Sequence, residues 1–253
     1  RLTGGGKYVM TNSTAAEANI AGTPDDSNEG FGTGHDSSFQ AWMWKRGAGL
    51  DVVTYSGQSG AKNVFHSLGK IPEMMWVKNR TYADANGWTV YHKGLNGGTN
   101  PEQYRIRLQS TVAEDDNNLA WNDTAPTSTH FTLGTDRMVN QGSFEYIAML
   151  FASVDGISKC GYYDGTGSDQ TINLGFTPRF LIFKQTNTTR DWCVFDTLRG
   201  ITSGNDALIT LNSNNAQWAG GDYLTPATNG IVVKGNQVAV NASGGNFIYY
   251  AHA

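Results

Sequence analysis

The chain carries one eleven-residue phrase twice. Leu68-Gly69-Lys70-Ile71-Pro72-Glu73-Met74-Met75-Trp76-Val77-Lys78 returns as Leu174-Gly175-Phe176-Thr177-Pro178-Arg179-Phe180-Leu181-Ile182-Phe183-Lys184, at an offset of 106 (174 − 68). A second pair follows each copy, Trp88-Thr89-Val90-Tyr91-His92 and Trp192-Cys193-Val194-Phe195-Asp196, at an offset of 104 (192 − 88). A shared order at a nearly fixed offset means duplicated modules, and a period this long suits whole globular units rather than solenoid repeats. The fold must therefore close within about a hundred residues, and do so twice.

Each module ends on a similar strand, Ser143-Phe144-Glu145-Tyr146-Ile147-Ala148-Met149 and Asn246-Phe247-Ile248-Tyr249-Tyr250-Ala251-His252. Ser38-Phe39-Gln40-Ala41-Trp42-Met43-Trp44 reads as a third such ending, and Tyr8-Val9-Met10-Thr11-Asn12-Ser13 matches Leu208-Ile209-Thr210-Leu211-Asn212-Ser213. These echoes predict a C-terminal remnant of a preceding module over 1–49, a complete module over 50–152 and a second over 153–253. The chain is expected to open partway through a module, as the C-terminal part of a longer polypeptide. Arg1-Leu2-Thr3 has the features of neither a signal peptide nor a targeting sequence.

Charged residues are 16% and glycines 31 of 253, with Asn, Thr and Ser crowded between apolar runs, which is the texture of strands joined by many turns. In Trp88-Thr89-Val90-Tyr91-His92, Trp88 and Val90 fall on one face and Thr89 and Tyr91 on the other, a period of two. Strands are expected at Lys7–Asn12 and Phe39–Lys45, then seven in the first module and eight in the second, the last two at Gln237–Asn241 and Phe247–Ala251. No segment has convincing helical spacing. The fold class is all-β: tandem antiparallel β-sandwiches of the concanavalin or jelly-roll type. The closing strands are apolar on both faces, as in Ile147-Ala148-Met149-Leu150-Phe151, so they are expected to be buried twice, by their own sandwich and by a neighbouring module or subunit. Trp42, Trp44, Ile147, Met149 and Tyr250 are the expected interface residues of a homo-oligomer.

A net charge of −4 argues against a phosphate-binding surface, so no nucleic-acid partner is expected. The longest apolar runs are about seven residues, against the roughly twenty a membrane-spanning helix needs. Cys160 and Cys193 lie in strand-like stretches and read as free thiols. The carboxylates, among them Asp123, Asp164, Asp169 and Asp222, sit in Gly- and Asn-rich turns, where the side chain serves the local backbone rather than glycoside hydrolysis. Asp196 is replaced by His92 in the sister copy, which disfavours it as a catalytic acid. The five histidines lack ligand spacing, and no metal or other cofactor is expected. Calcium stays open at Asp25-Asp26-Ser27-Asn28-Glu29 and Glu114-Asp115-Asp116-Asn117-Asn118, neither of which has the spacing of a specific calcium loop. Neither a Gly-x-Ser-x-Gly motif nor a base beside a cysteine points to a nucleophile, and no enzyme activity is expected.

Loop aromatics remain, because a ring face packs on a pyranose while neighbouring polar groups take its hydroxyls. Trp121 with Asp123, and Trp218 with Asp222 and Tyr223, are the candidate glycan-binding residues. The competing reading is a Trp that folds back to plug the end of a sandwich.

The phrases Phe39-Gln40-Ala41-Trp42-Met43-Trp44-Lys45-Arg46, Leu68-Gly69-Lys70-Ile71-Pro72, Trp88-Thr89-Val90-Tyr91-His92-Lys93-Gly94-Leu95 and Gly175–Lys184 resemble modules in tail-fibre and related virion structural proteins of tailed phages, above all marine and cyanobacterial ones. Such modules are often described as concanavalin-like lectin domains. The resemblance implies a non-enzymatic structural or adhesion protein of the virion, assembled in the host cytoplasm and acting outside the cell. Its implied partners are further copies, most simply as a trimer, other tail proteins, and a host-surface glycan. A virion-associated depolymerase and a fibre segment without ligand are the alternatives.

Overall fold

The structure is a computed structural model that describes residues 7–19, 42–47, 49–82, 87–235 and 237–253. It opens with a short arm in which β1 (Lys7–Tyr8) pairs antiparallel with β2 (Ala18–Asn19). Eight strands then run from Leu50 to Phe151: β3 (Leu50–Ser56), β4 (Lys62–Phe65), β5 (Met74–Asn79), β6 (Trp88–His92), β7 (Tyr104–Arg107), β8 (Asp115–Asp116), β9 (His130–Leu133) and β10 (Glu145–Phe151). They form a six-stranded sheet in the order β3-β10-β5-β6-β7-β8, covered by the pair β4-β9. The rest of the chain repeats the plan with β11 (Ser158–Asp164), β12 (Gln170–Asn173), β13 (Phe180–Gln185), β14 (Trp192–Asp196), β15 (Asp206–Thr210), β16 (Trp218–Gly221), β17 (Leu224–Ala227), β18 (Gly230–Val233) and β19 (Asn246–His252). Its large sheet runs β11-β19-β13-β14-β15-β16, and its small one β12-β18-β17. Every pairing is antiparallel.

Each unit has an inner core between its two sheets. Tyr55, Met75, Val77, Tyr91, Phe131 and Tyr146 build the first, and Leu181, Phe183, Phe195, Ile231 and Tyr249 the second. A third core lies between the large sheets, where Met74, Trp76, Trp88 and Val90 meet Phe180, Ile182, Trp192, Val194 and Tyr250. β5, β6, β13 and β14 are consequently buried at every residue. The second apolar face of the closing strands finds its cover here, inside one chain: Met149 packs on this shared core, Tyr250 belongs to it, and Phe151 meets Tyr250 edge-on at 5.0 Å between ring centroids.

Several local expectations fail. Gln237–Asn241 is not a strand: Val238–Asn241 makes a single helical turn, α2, because Asn241 must face inward to accept the Thr166 N–H (2.9 Å) and donate to Ser168 O (2.7 Å). Asn118–Trp121 likewise makes a helical turn, α1, where no helix was expected; Asn122 ends it in the left-handed conformation at φ 55°. In the arm, only Lys7–Tyr8 of the expected Lys7–Asn12 strand is in a ladder, and Trp42–Lys45 is irregular. Phe39–Ala41 lies outside the described residues.

The described part of the arm lies across both units. Trp88 Nε1 donates to Met10 O (2.7 Å), Lys78 Nζ to Thr14 O (2.9 Å) and Glu17 N to Arg80 O (2.8 Å). The same three bonds recur between the first and second units: Trp192 Nε1 to Arg107 O (2.9 Å), Lys184 Nζ to Thr111 O (3.0 Å) and Glu114 N to Thr186 O (2.8 Å). The tongue-side residues of the two sets are 97 residues apart throughout (107 − 10, 111 − 14, 114 − 17). The register of β1 on β2, Tyr8↔Ala18, is that of β7 on β8, Arg105↔Asp115, at the same offset. A short tongue, Ser13–Glu17 or Ser110–Glu114, thus leaves one unit and seats against the buried lysine of the next. This contact is heterologous: different surfaces meet, head to tail. The arm also reaches the far unit, through Thr11 Oγ1 to Leu211 O (2.9 Å) and Asn12 Nδ2 to Asn214 Oδ1 (2.9 Å), so arm and units touch pairwise in a ring.

Candidate functional site

Trp218 begins β16, and its side chain is among the largest apolar groups left in solvent, 60% exposed. Bare backbone makes room for the rings, since a Cβ on Gly220 would stand 2.9 Å from the indole and one on Gly221 2.3 Å from the Tyr223 ring. Tyr223 is half-buried and rests on Phe195 at 5.5 Å between centroids. Asp206 anchors the turn from below, its Oδ2 accepting the N–H groups of Tyr223 and Leu224, each at 2.7 Å. Burial pushes the Asp206 carboxyl up despite those bonds. Asp222 follows on the same turn with a buried Oδ1 that has no protein partner. An exposed indole beside a tyrosine can stack a sugar ring.

Trp121 and Asp123 do not form a counterpart. Trp121 is 1% exposed, its Nε1 donates to Tyr104 O (3.0 Å), and its ring meets Tyr91 edge-on, so it plugs the first unit and offers no face to a ligand. The single turn α1 carries it inward; Asp123 is exposed in the left-handed region at φ 46°.

Of the expected interface residues, Trp42 and Trp44 pack edge-on against Phe180 at 5.4 and 5.0 Å, where the arm meets the second unit. Ile147 and Met149 are half-buried on β10 and Tyr250 is buried on β19. Beside the two tryptophans a cleft of about 230 Å³ opens, lined among others by Met43, Arg179, Asp196, Leu198 and His252. Sequence reading passed over this cleft because Trp42 and Asp196 stand 154 residues apart. Asp196 is committed within it: Arg199 Nε (2.6 Å), Arg199 N (2.9 Å) and Trp42 Nε1 (3.2 Å) all donate to its carboxylate, and the Arg199 guanidinium lies 5.5 Å over the Trp42 ring.

His92, the counterpart of Asp196, is fully buried at the seam between the units. Its Nδ1 accepts the Gly94 N–H (3.0 Å), which leaves Nε2–H to donate to Tyr249 O (3.2 Å), and burial holds its pKa down at about 3. The cysteines are free and buried, which pushes both thiols up, Cys193 to about 12. Neither is poised as a nucleophile. Glu114 is engaged by Asn96 N (2.7 Å) and Thr186 Oγ1 (2.9 Å), and Asp115 by Arg105 (3.0 Å). Among the described residues no group of three or more His, Cys, Asp or Glu could hold a metal ion; Asp25–Glu29 lies outside them. Among them, too, no helix is long and apolar enough to cross a membrane.

No curated protein and no solved structure matches the chain. A family model described as a domain of unknown function, DUF7483, matches residues 2–253, taking in the arm and both units together. The chain therefore belongs to the DUF7483 family.

Proposed function

We propose that this protein is a non-enzymatic structural or adhesion component of a phage virion, of tail-fibre type, that holds a host-surface glycan through Trp218, Asp222 and Tyr223. The observation that supports this reading is the exposed indole of Trp218, set on glycine backbone beside Tyr223. Stacking contributes roughly 0.5–1.5 kcal/mol per ring beyond burial, so one site binds weakly and depends on several copies acting together. A homotrimer joined to other tail proteins is the assembly that the sequence resemblance implies. Comparing Trp218→Ala and Tyr223→Ala with the parent in a cell-adsorption assay, with circular dichroism as the folding control, tests the site. Folded variants that adsorb like the parent overturn it, and light scattering that finds a monomer overturns the trimer.

A further inference from the structure

Among the described residues, the seating of the two tongues has an unfilled third place. Asn212-Ser213-Asn214-Asn215-Ala216-Gln217 follows β15 as Gln109–Glu114 follows β7, at an offset of 103 (212 − 109). All three tongues fold alike. A serine hydroxyl accepts the N–H two residues on in each: Ser13 from Ala15 (3.0 Å), Ser110 from Val112 (3.3 Å) and Ser213 from Asn215 (3.2 Å). The residue before that serine also repeats its role, since Gln109 Oε1 accepts Trp88 N and Asn212 Oδ1 accepts Trp192 N, both at 2.8 Å. What differs is the cover. Residues 11–17 are half-buried throughout and 111–114 nearly so, whereas 214–217 are exposed.

A second vacancy borders this one. In the first unit β7 pairs with β6 through Arg107↔Thr89 and Ile106↔Val90; the matching arm residues, Met10 and Val9, directly follow β1, and among the described residues no strand pairs there. The contacts Thr11 to Leu211 and Asn12 to Asn214 bring this edge beside the third tongue. A single strand pair of the β5–β6 kind would complete both places at once.

We propose that the Asn212–Gln217 tongue and the β1 edge together form a docking site for a further module of this same repeat. Its strand pair would bring a buried lysine to Asn214 O and an indole N–H to Thr210 O. A second copy of this chain does not fit, because its two receiving lysines already hold Thr14 O and Thr111 O. The site continues an interface used twice in the same molecule, and heterologous contacts of this kind either close into a ring or run on as a filament. The inference stands apart from glycan binding.

The test grafts a copy of residues 49–103 ahead of Lys7 in the full chain, replacing residues 1–6. Amide exchange at 212–217 should slow by about tenfold or more, toward that of 111–114, and should revert when the grafted copy carries the Lys78→Ala change. A protease-resistant graft that leaves 212–217 exchanging as before overturns the proposal. Because a graft can fail to fold, the ungrafted chain bearing T111N, V112N and E114Q, which writes the third tongue into the second, provides an independent arm. It should keep one cooperative transition and bury its new tongue on Lys184. If it is destabilised as much as a chain with Gly-Ser in those positions, the third tongue is not a docking element and the proposal fails. Trp218→Ala should leave both readouts unchanged.

Discussion

Mild acid should loosen the seam between the two units, and His92 sets the size of the effect. The ring is fully buried with its neutral form satisfied on both sides, Nδ1 by the Gly94 N–H and Nε2–H by Tyr249 O. A second proton would have to sit on Nδ1, against an N–H that already points there. Burial accordingly lowers the pKa from 6.5 to about 3. Between those values the unfolded chain binds the proton and the folded chain does not, so stability is full above pH 6.5 and is lost as the pH falls toward 3. At 1.36 kcal/mol per unit the loss between pH 7 and pH 5 is about 2 kcal/mol. For a chain of this size that lowers the melting temperature by roughly 4–8 °C. Calorimetry of the parent and of His92→Gln at both pH values isolates the residue, since Gln keeps an N–H for Tyr249 O and does not titrate. His66, also lowered by burial, contributes equally to both proteins and cancels. If the two lose the same stability on acidification, His92 is not the group that couples the seam to pH.

Lys184 should act in the opposite range: burial holds it at about 8, against 10.5 ordinarily, so stability should rise by up to about 1 kcal/mol between pH 8 and 9, and urea titrations of Lys184→Met should lack the rise. Lys184→Ala at pH 7 should cost about 2–4 kcal/mol, because Thr111 O and Arg190 O both lose their donor; the drop in urea midpoint measures it. Trp121→Ala should cost about 3–5 kcal/mol and Trp218→Ala less than about 0.5 kcal/mol, a contrast thermal denaturation resolves easily. Gly57→Ala should destabilise by about 1–3 kcal/mol, its Cβ being forced within 2.1 Å of Gln141 O, and a melting temperature like the parent's would show that the β3 end yields freely.

The framing strands were legible because their residues face apolar surroundings on both sides, so β5, β6, β13 and β14 carry long apolar runs that survive duplication. The doubly apolar closing strands also foretold a second cover, but sequence could not say that the cover was the sister unit, since the same pattern serves a subunit contact. Gln237–Asn241 misled because Val238 and Val240 alternate like strand residues, while the deciding group was Asn241, whose amide holds the Thr166–Ser168 loop. Trp121 left two readings open, a ligand platform or a plug, and the plug holds because one helical turn carries the ring inward to donate to Tyr104 O. The tongues were spelled out in Ser13-Thr14-Ala15-Ala16-Glu17 and Ser110-Thr111-Val112-Ala113-Glu114. Loops of unequal length move them to an offset of 97 rather than 104–106, so an alignment on the framing phrases slides past them.

Because each tongue is spelled in one unit and answered by a lysine in the next, inheritance and architecture are out of phase. A recombination joint in the linker between sandwiches, near Ser153, would separate the Ser110–Glu114 tongue from Lys184, its receptor. A joint just before a tongue would keep it on one piece with its lysine, Ser110–Glu114 with Lys184. The natural cassette for shuffling this chain is therefore staggered by half a unit from the domain that the eye would draw, and lineages that trade pieces of it should show their breakpoints near Asn12 and Gln109.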